Sequence, residues 1–196
     1  MKKIGIIDYG AGNLASLKNA LKKIGEKPAI VKRPCQIDAM DGIIVPGVGN
    51  FGAAMESLRV FEKGLKSYKK PILGICLGLQ VFYEGSEESP GITGMAFYSG
   101  KCKRFPAGEL KVPHMGWNNI QIIRKCPLVD GLTEKDFFYF VHSFYGEQGE
   151  NTIAETEYGV KFSAITGKDD IFATQFHPEK SGEPGLLLLK NFVGLL

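Results

Sequence analysis

Apolar and polar residues follow two different rhythms along this chain. In the first half, short continuous apolar runs are spaced by stretches of helical periodicity. Residues 4–8 read as a buried strand that Asp8 closes, and residues 13–24 as an amphipathic helix with Leu14, Leu17, Leu21 and Ile24 on one face. Further buried strands are predicted at 29–32, 42–45 and 71–75, with helices at 51–68 and 77–83. The strand at 71–75 runs straight into Cys76. Strand–helix repetition of this kind needs parallel strands joined by right-handed crossovers, so the front of the chain predicts an α/β sheet covered on both faces.

From about residue 119 the rhythm changes. Residues 119–123, 137–141, 152–155, 162–166 and 171–176 are short β-branched or aromatic runs separated by turn signals, which predicts antiparallel strands. A closing helix is expected at 185–196, with Pro184 in its first turn. The expectation is one domain spanning 1–196, α/β, with an open mixed sheet that is parallel in its first half and antiparallel in its second.

Composition narrows what such a domain does. With 196 residues, 44% of them hydrophobic, the chain buries a core without staples. Its 24 basic and 21 acidic side chains leave a net charge of +3, spread along the sequence. That field is too weak to predict a nucleic-acid partner or an anionic membrane surface. The four cysteines stand far apart without a C-x-x-C pair, and with only three histidines there is no metal-ligand spacing, so no metal is expected. The apolar stretch after Met1-Lys2-Lys3 ends at Asp8, too short for a secretory segment, and no run is long enough to cross a bilayer. A cytoplasmic location with reduced thiols is expected.

The sharpest local pattern is Gly74-Ile75-Cys76-Leu77-Gly78, between a strand and a helix. A nucleophile on such an elbow turns sharply, and glycines two residues to either side remove the side chains that would clash. A helix N-terminus beside Cys76 would favour its thiolate. Taken alone, Cys76 fits a buried core cysteine equally well. Catalysis needs a base, and Gln175-Phe176-His177-Pro178-Glu179 supplies one. In extended chain, His177 and Glu179 point the same way, so the carboxylate fixes one imidazole tautomer while Pro178 stiffens the pair. A lone histidine is more often a cap or a core residue, but paired with Glu179 and a cysteine elbow it predicts a Cys76–His177–Glu179 triad. Acyl chemistry also needs oxyanion donors. The Pro46-Gly47-Val48-Gly49-Asn50-Phe51-Gly52 loop and the amide of Leu77 are placed to give them.

Two glycine patterns admit another reading. Residues 47–52 spell G-x-G-x-x-G, and Gly10-Ala11-Gly12-Asn13-Leu14-Ala15 spells G-x-G-x-x-A after the first strand, with Lys32 and Arg33 where a 2′-phosphate would sit. A dinucleotide module would leave the cysteine, histidine and glutamate unexplained, and the second loop lacks the acidic residue such sites carry about twenty residues on; Lys69 and Lys70 stand there.

The elbow and the distant His177-Pro178-Glu179 together resemble the class I glutamine amidotransferases. Within them the chain is similar to the glutaminase-subunit family of imidazole glycerol phosphate synthase, through residues 8–13, 46–52, 175–181 and, most specifically, Pro113-His114-Met115-Gly116-Trp117-Asn118. The resemblance covers essentially the whole chain and implies a flavodoxin-related fold. It further implies that Cys76 attacks the carboxamide of L-glutamine, that Gly49 and Leu77 hold the oxyanion, and that Gln80, Glu88 and the backbone at Ser143 and Phe144 form the substrate pocket. Phe144 stands where many relatives carry tyrosine, and Gly94-Met95-Ala96-Phe97 departs from the usual pattern. The resemblance also implies a separate (β/α)₈ cyclase subunit as partner, facing Asn13, Trp117, Asn118, Tyr139 and Lys180, and no cofactor. Chemistry points the same way. In bulk water at neutral pH ammonia is mostly protonated and no longer nucleophilic, so a dry route to an acceptor preserves it. The alternatives on the same residues are a glutaminase subunit serving a different ammonia acceptor enzyme and a free-standing cysteine hydrolase acting on γ-glutamyl compounds.

Overall fold

A computed structural model describes residues 2–108 and 110–196. In chain order the elements are β1 (Ile4–Ile7), α1 (Leu14–Lys23), β2 (Ala29–Val31), β3 (Gly42–Gly47), α2 (Phe51–Ser67), β4 (Ile72–Cys76), α3 (Leu77–Gln80), β5 (Gly85–Ser86), β6 (Lys101–Arg104), β7 (His114–Asn119), β8 (Gln121–Ile122), β9 (Phe137–His142), β10 (Phe144–Gly146), β11 (Thr152–Tyr158), β12 (Val160–Lys168), β13 (Ile171–Thr174) and α4 (Gly182–Gly194). The main sheet has the order β2-β1-β3-β4-β13-β12-β11-β8. Its first five strands are parallel and its last four pair antiparallel. With β13 as fifth strand, the parallel part has the 2-1-3-4-5 order of flavodoxin-like sheets, whose ligands bind beyond the carboxyl ends of the strands.

Residue period decides which face each helix covers. Ile4, Ile6, Ile44, Leu73 and Ile75 belong to one core with Leu17 and Leu21 of α1 and Leu188, Leu189 and Phe192 of α4. The alternating Ile7, Ile43, Val45 and Ile72 belong to the other, with Leu58, Phe61 and Leu65 of α2. Strands buried on both faces cannot alternate with polar residues, which is why they read as continuous apolar runs. Asn13 and Asn50 start α1 and α2 by accepting from the backbone N–H of Ser16 (3.1 Å) and Ala53 (3.2 Å).

The mixed α/β sheet expected from sequence is present, with four local corrections. The last strand expected to be antiparallel, β13, pairs parallel to β4 on one side and antiparallel to β12 on the other. The helix predicted at 77–83 ends at Gln80, because the carbonyls of Val81, Phe82 and Tyr83 accept from Met95, Phe97, Tyr98 and Ala96 instead of continuing a helical ladder. The strand predicted at 119–123 divides at the buried Ile120. There the chain leaves the two-stranded ribbon β7–β9 and joins the main sheet as β8. The strand predicted at 171–176 stops at Thr174, whose hydroxyl donates to the Phe176 carbonyl (2.9 Å) and curls the chain. The closing helix begins at Gly182, leaving Pro184 in the first turn as expected. A small sheet of β10, β6 and β5 had no counterpart in the sequence pattern, since its strands are only two to four residues long.

Candidate active site

Cys76 ends β4 with φ 55° and ψ −104°, a strained conformation for a residue with a β-carbon. Its neighbours make the turn possible. A Cβ on Gly78 would lie 2.0 Å from the Val45 carbonyl oxygen, and one on Gly74 would lie 2.7 Å from the carbonyl oxygen of Gly78. Gly47 gives the same service from β3, where a Cβ would meet Leu77 at 2.7 Å. The elbow reading of Gly74 and Gly78 therefore holds in space. The helix that follows supplies one turn rather than the longer dipole expected, so the positive charge facing the thiol comes from elsewhere.

That charge is His177. It lies just past β13, where its N–H donates to the Tyr139 carbonyl (2.9 Å) and it begins the 3₁₀ turn Pro178–Lys180. The turn, not strand alternation, brings the Glu179 carboxylate to 2.8 Å from Nδ1, with the two side chains 2% and 4% exposed. Ser181 clamps the turn by donating to the His177 carbonyl (2.6 Å) and accepting from the Tyr139 N–H (3.0 Å). Burial works against the imidazolium, but the nearby Cys76 charge, followed by the Glu179 carboxylate, outweighs it and holds His177 up to about 10. Nε2 is buried and makes no hydrogen bond among the described residues, which leaves it free for the thiol. Around Sγ, the Gln175 amide donates from 3.8 Å and the Val141 carbonyl lies at 3.9 Å. Such a set can take a proton from a thiol and return it to a leaving group.

Cys76 lines a cavity of about 280 Å³ together with Val48, Gly49, Leu77, Gln80, Glu88 and residues 141–144. Gln80, Glu88, Ser143 and Phe144, the residues expected around the substrate, thus line one cavity with Cys76, and two of their side chains are partly committed to its walls. The Gln80 amide donates to the Phe144 carbonyl (2.9 Å). Glu88 accepts from the Phe51 N–H at the start of α2 (2.6 Å), beside the Gly52 N–H that Ser89 accepts (3.0 Å), so this pair of residues anchors the 46–52 loop. Gly49 has φ 107° with open space around its missing Cβ, so it is a glycine for its backbone rather than for packing.

Sequence reasoning missed Tyr9. Its buried hydroxyl donates to the Pro46 carbonyl (2.7 Å) at the root of the same loop, and burial together with the nearby Cys76 charge pushes its phenol well up. The signal was its place at the carboxyl end of the first strand. The 10–15 loop shows no dinucleotide cradle. Gly12 packs on Pro46, where a Cβ would lie 3.2 Å from the ring, and Asn13 caps the α1 N-terminus that a pyrophosphate would need.

Of the residues expected to face a partner, three converge on the β7–β9 ribbon. Trp117 and Tyr139 are register neighbours with ring centroids 5.9 Å apart, and the Lys180 ammonium lies 5.6 Å from the Tyr139 ring centre. Trp117 is 57% exposed, and the missed Met115 and Phe137 are 63% and 53% exposed on the same ribbon. Strand alternation from Trp117 and Tyr139 would have found both. Asn118 donates to the Glu157 carbonyl (2.9 Å) and Asn13 caps its helix, so these two side chains serve the fold.

The sequence profile described as glutamine amidotransferase class-I matches residues 5–195. The chain belongs to this family. It is 50% identical over 201 residues to the imidazole glycerol phosphate synthase subunit HisH of Methanosarcina barkeri, covering 100% of both chains. It is 47% identical over 197 residues to the subunit of the same name from Methanocaldococcus jannaschii, covering 98% of this chain and 100% of that one. The structure of PurLQS from Thermotoga maritima superposes with a TM-score of 0.76 at 18% identity over 99% of each chain, a likeness of fold. The class-I amidotransferase is thus an enzyme, and the resemblance read from its elbow and His177-Pro178-Glu179 is upheld at family level. Among its described residues no helix is long and apolar enough to cross a membrane.

Proposed function

We propose that residues 1–196 act as one glutaminase domain, the glutamine-hydrolysing subunit of an imidazole glycerol phosphate synthase in histidine biosynthesis. The observation that carries the chemistry is the pairing of His177 with Glu179 through Nδ1, which leaves Nε2 to Cys76 at the floor of an amino-acid-sized cavity. The Cys76 thiolate attacks the carboxamide carbon of L-glutamine, and the oxyanion rests on backbone N–H groups of Gly49 and Leu77. The tetrahedral adduct collapses as His177 gives its proton to the departing ammonia, leaving a γ-glutamyl thioester. His177 then takes a proton from water, which attacks the thioester; glutamate leaves and the thiolate returns. Thiol, imidazole and water suffice, so no cofactor or metal is required.

Ammonia released here passes to a separate (β/α)₈ cyclase subunit. Similarity to HisH subunits supports that partner, as does the ribbon carrying Met115, Trp117 and Phe137 in the open, with Tyr139 and Lys180 beside them. Exposed aromatic and methionine side chains are what interface cores favour. The cytoplasm, where the four thiols stay reduced, is the compartment proposed.

The test is glutamate release from glutamine by the chain alone, then with a histidine-pathway cyclase subunit and its ribulosyl nucleotide substrate. A slow basal rate that rises sharply on mixing is expected, because the oxyanion loop is then aligned by the partner. Full activity on γ-glutamyl compounds without any partner would identify a free-standing hydrolase instead.

A further inference from the structure

The mechanism leaves unused two buried histidines that stand between the ribbon and the pocket. His114 opens β7, His142 closes β9, and the two are direct register partners. Nδ1 of His142 lies 2.9 Å from the Phe144 carbonyl oxygen, so that nitrogen carries the hydrogen and Nε2 is left as an acceptor. Nε2 in turn lies 3.2 Å from Nδ1 of His114, which must therefore donate. Both rings are neutral: burial pushes His114 down to about 4 and His142 to about 3. Two donors of one sense thus converge on the Phe144 carbonyl, His142 from the ribbon side and Gln80 from α3. The His114 ring is itself gripped between Tyr158 (centroids 4.1 Å, planes 20° apart) and Phe140 (5.0 Å, 24°).

We propose that His114 is a positioning residue for the glutamine pocket. Through His142 it fixes the carbonyl of Phe144, and with it the 143–144 wall, and it ties that wall to the ribbon whose outer face carries Trp117 and Tyr139. The proposal rests on the glutaminase reading. His114 touches neither the thiol nor the cavity, so it acts on how glutamine is held and not on the thiol's reactivity.

Two variants separate positioning from simple support. His114→Phe keeps an aromatic ring between Tyr158 and Phe140 but removes the donor and leaves Nε2 of His142 unpaired. His114→Asn keeps a donor near the place of Nδ1 but loses the stack. Each is assayed in the complete complex for glutamine KM and kcat, for alkylation of Cys76 by iodoacetamide, and for Tm. His114→Phe is expected to raise KM roughly fivefold to tenfold, the effect of one lost hydrogen bond, with kcat and alkylation unchanged. His114→Asn is expected to melt lower yet to bring KM back to within about twofold of the parent. An unchanged KM in His114→Phe, or a KM that follows Tm across both variants, overturns the proposal. Should either variant fail to fold, nitrogen NMR of the parent decides. Hydrogen on Nδ1 of both rings supports the relay, and hydrogen on Nε2 of either ring overturns it. A parent complex that releases no glutamate overturns the glutaminase reading and this proposal with it, whereas normal parent turnover with KM flat in both variants overturns this proposal alone.

Discussion

Gly78 lies so close to Val45 that a β-carbon on it would fall 2.0 Å from the Val45 carbonyl oxygen. The contact is with backbone, which has nowhere to retreat inside a sheet bonded on both sides. It locks the turn after Cys76 to the strand that delivers the 46–52 loop.

Gly78→Ala therefore drives β3 and the elbow apart. Overpacking of this kind costs about 1–3 kcal/mol, which for a chain of this size lowers Tm by roughly 2–12 °C. Glutamate release is expected to fall more than stability accounts for, since the thiol and the loop move relative to each other. Gly149→Ala, where a Cβ would meet nothing within 4 Å, serves as the control. Equal melting of the two variants would remove the steric account.

His177 gives the pH prediction. Its pKa rises from the usual 6.5 to about 10, so the stability carried by its imidazolium is fully present below pH 6.5 and is lost as pH climbs through about 10. Burial opposes the charged ring, while Cys76 supports it ahead of Glu179. In Cys76→Ala that support is gone. The His177 ring, followed by NMR, is expected to titrate at clearly lower pH than in the parent, and glutamine hydrolysis is abolished. An imidazole that titrates at the same pH with and without Cys76 would show that the thiol does not face it.

Tyr9 should matter out of proportion to its distance from sequence motifs. Tyr9→Phe keeps the ring in its core and removes only the donor to the Pro46 carbonyl. Leaving that buried carbonyl unpaired costs about 1–3 kcal/mol, or roughly 2–12 °C in Tm. Because the 46–52 loop brings Gly49 to the cavity, kcat for glutamine is expected to fall with KM little changed. Steady-state kinetics with the cyclase present make the measurement. A higher KM at constant kcat would place Tyr9 in substrate binding instead.

The parts of this molecule that were legible in its sequence are those where one residue type answers one local constraint. Buried parallel strands show as apolar runs, and Gly74 and Gly78 as clearances around Cys76. His177 and Glu179 do meet, but a 3₁₀ turn held by Ser181 joins them rather than the strand alternation expected. What stayed hidden depends on contacts between distant segments. The short α3 ends because residues 95–98 claim the carbonyls just beyond it, and β13 turns parallel because it inserts beside β4. Tyr9 meets Pro46, and His114 meets His142, only once the sheet and ribbon are built. No local period records such meetings.

Trp117 carries the last prediction. Its ring meets Tyr139 edge-on and is more than half exposed, so truncating it removes little from the fold of the isolated chain. Trp117→Ala is expected to leave Tm within about 1–2 °C of the parent, as surface substitutions do. Against the cyclase subunit the same change should be severe, because a central aromatic anchor is worth about 2 kcal/mol or more, a loss of roughly thirtyfold in Kd. Lys180→Ala, which removes the ammonium beside Tyr139 but no aromatic area, is expected to weaken binding less. Calorimetric titration of the cyclase into each variant ranks them. Parent-like affinity in Trp117→Ala would move the docking face off this ribbon while leaving the chemistry at Cys76 untouched.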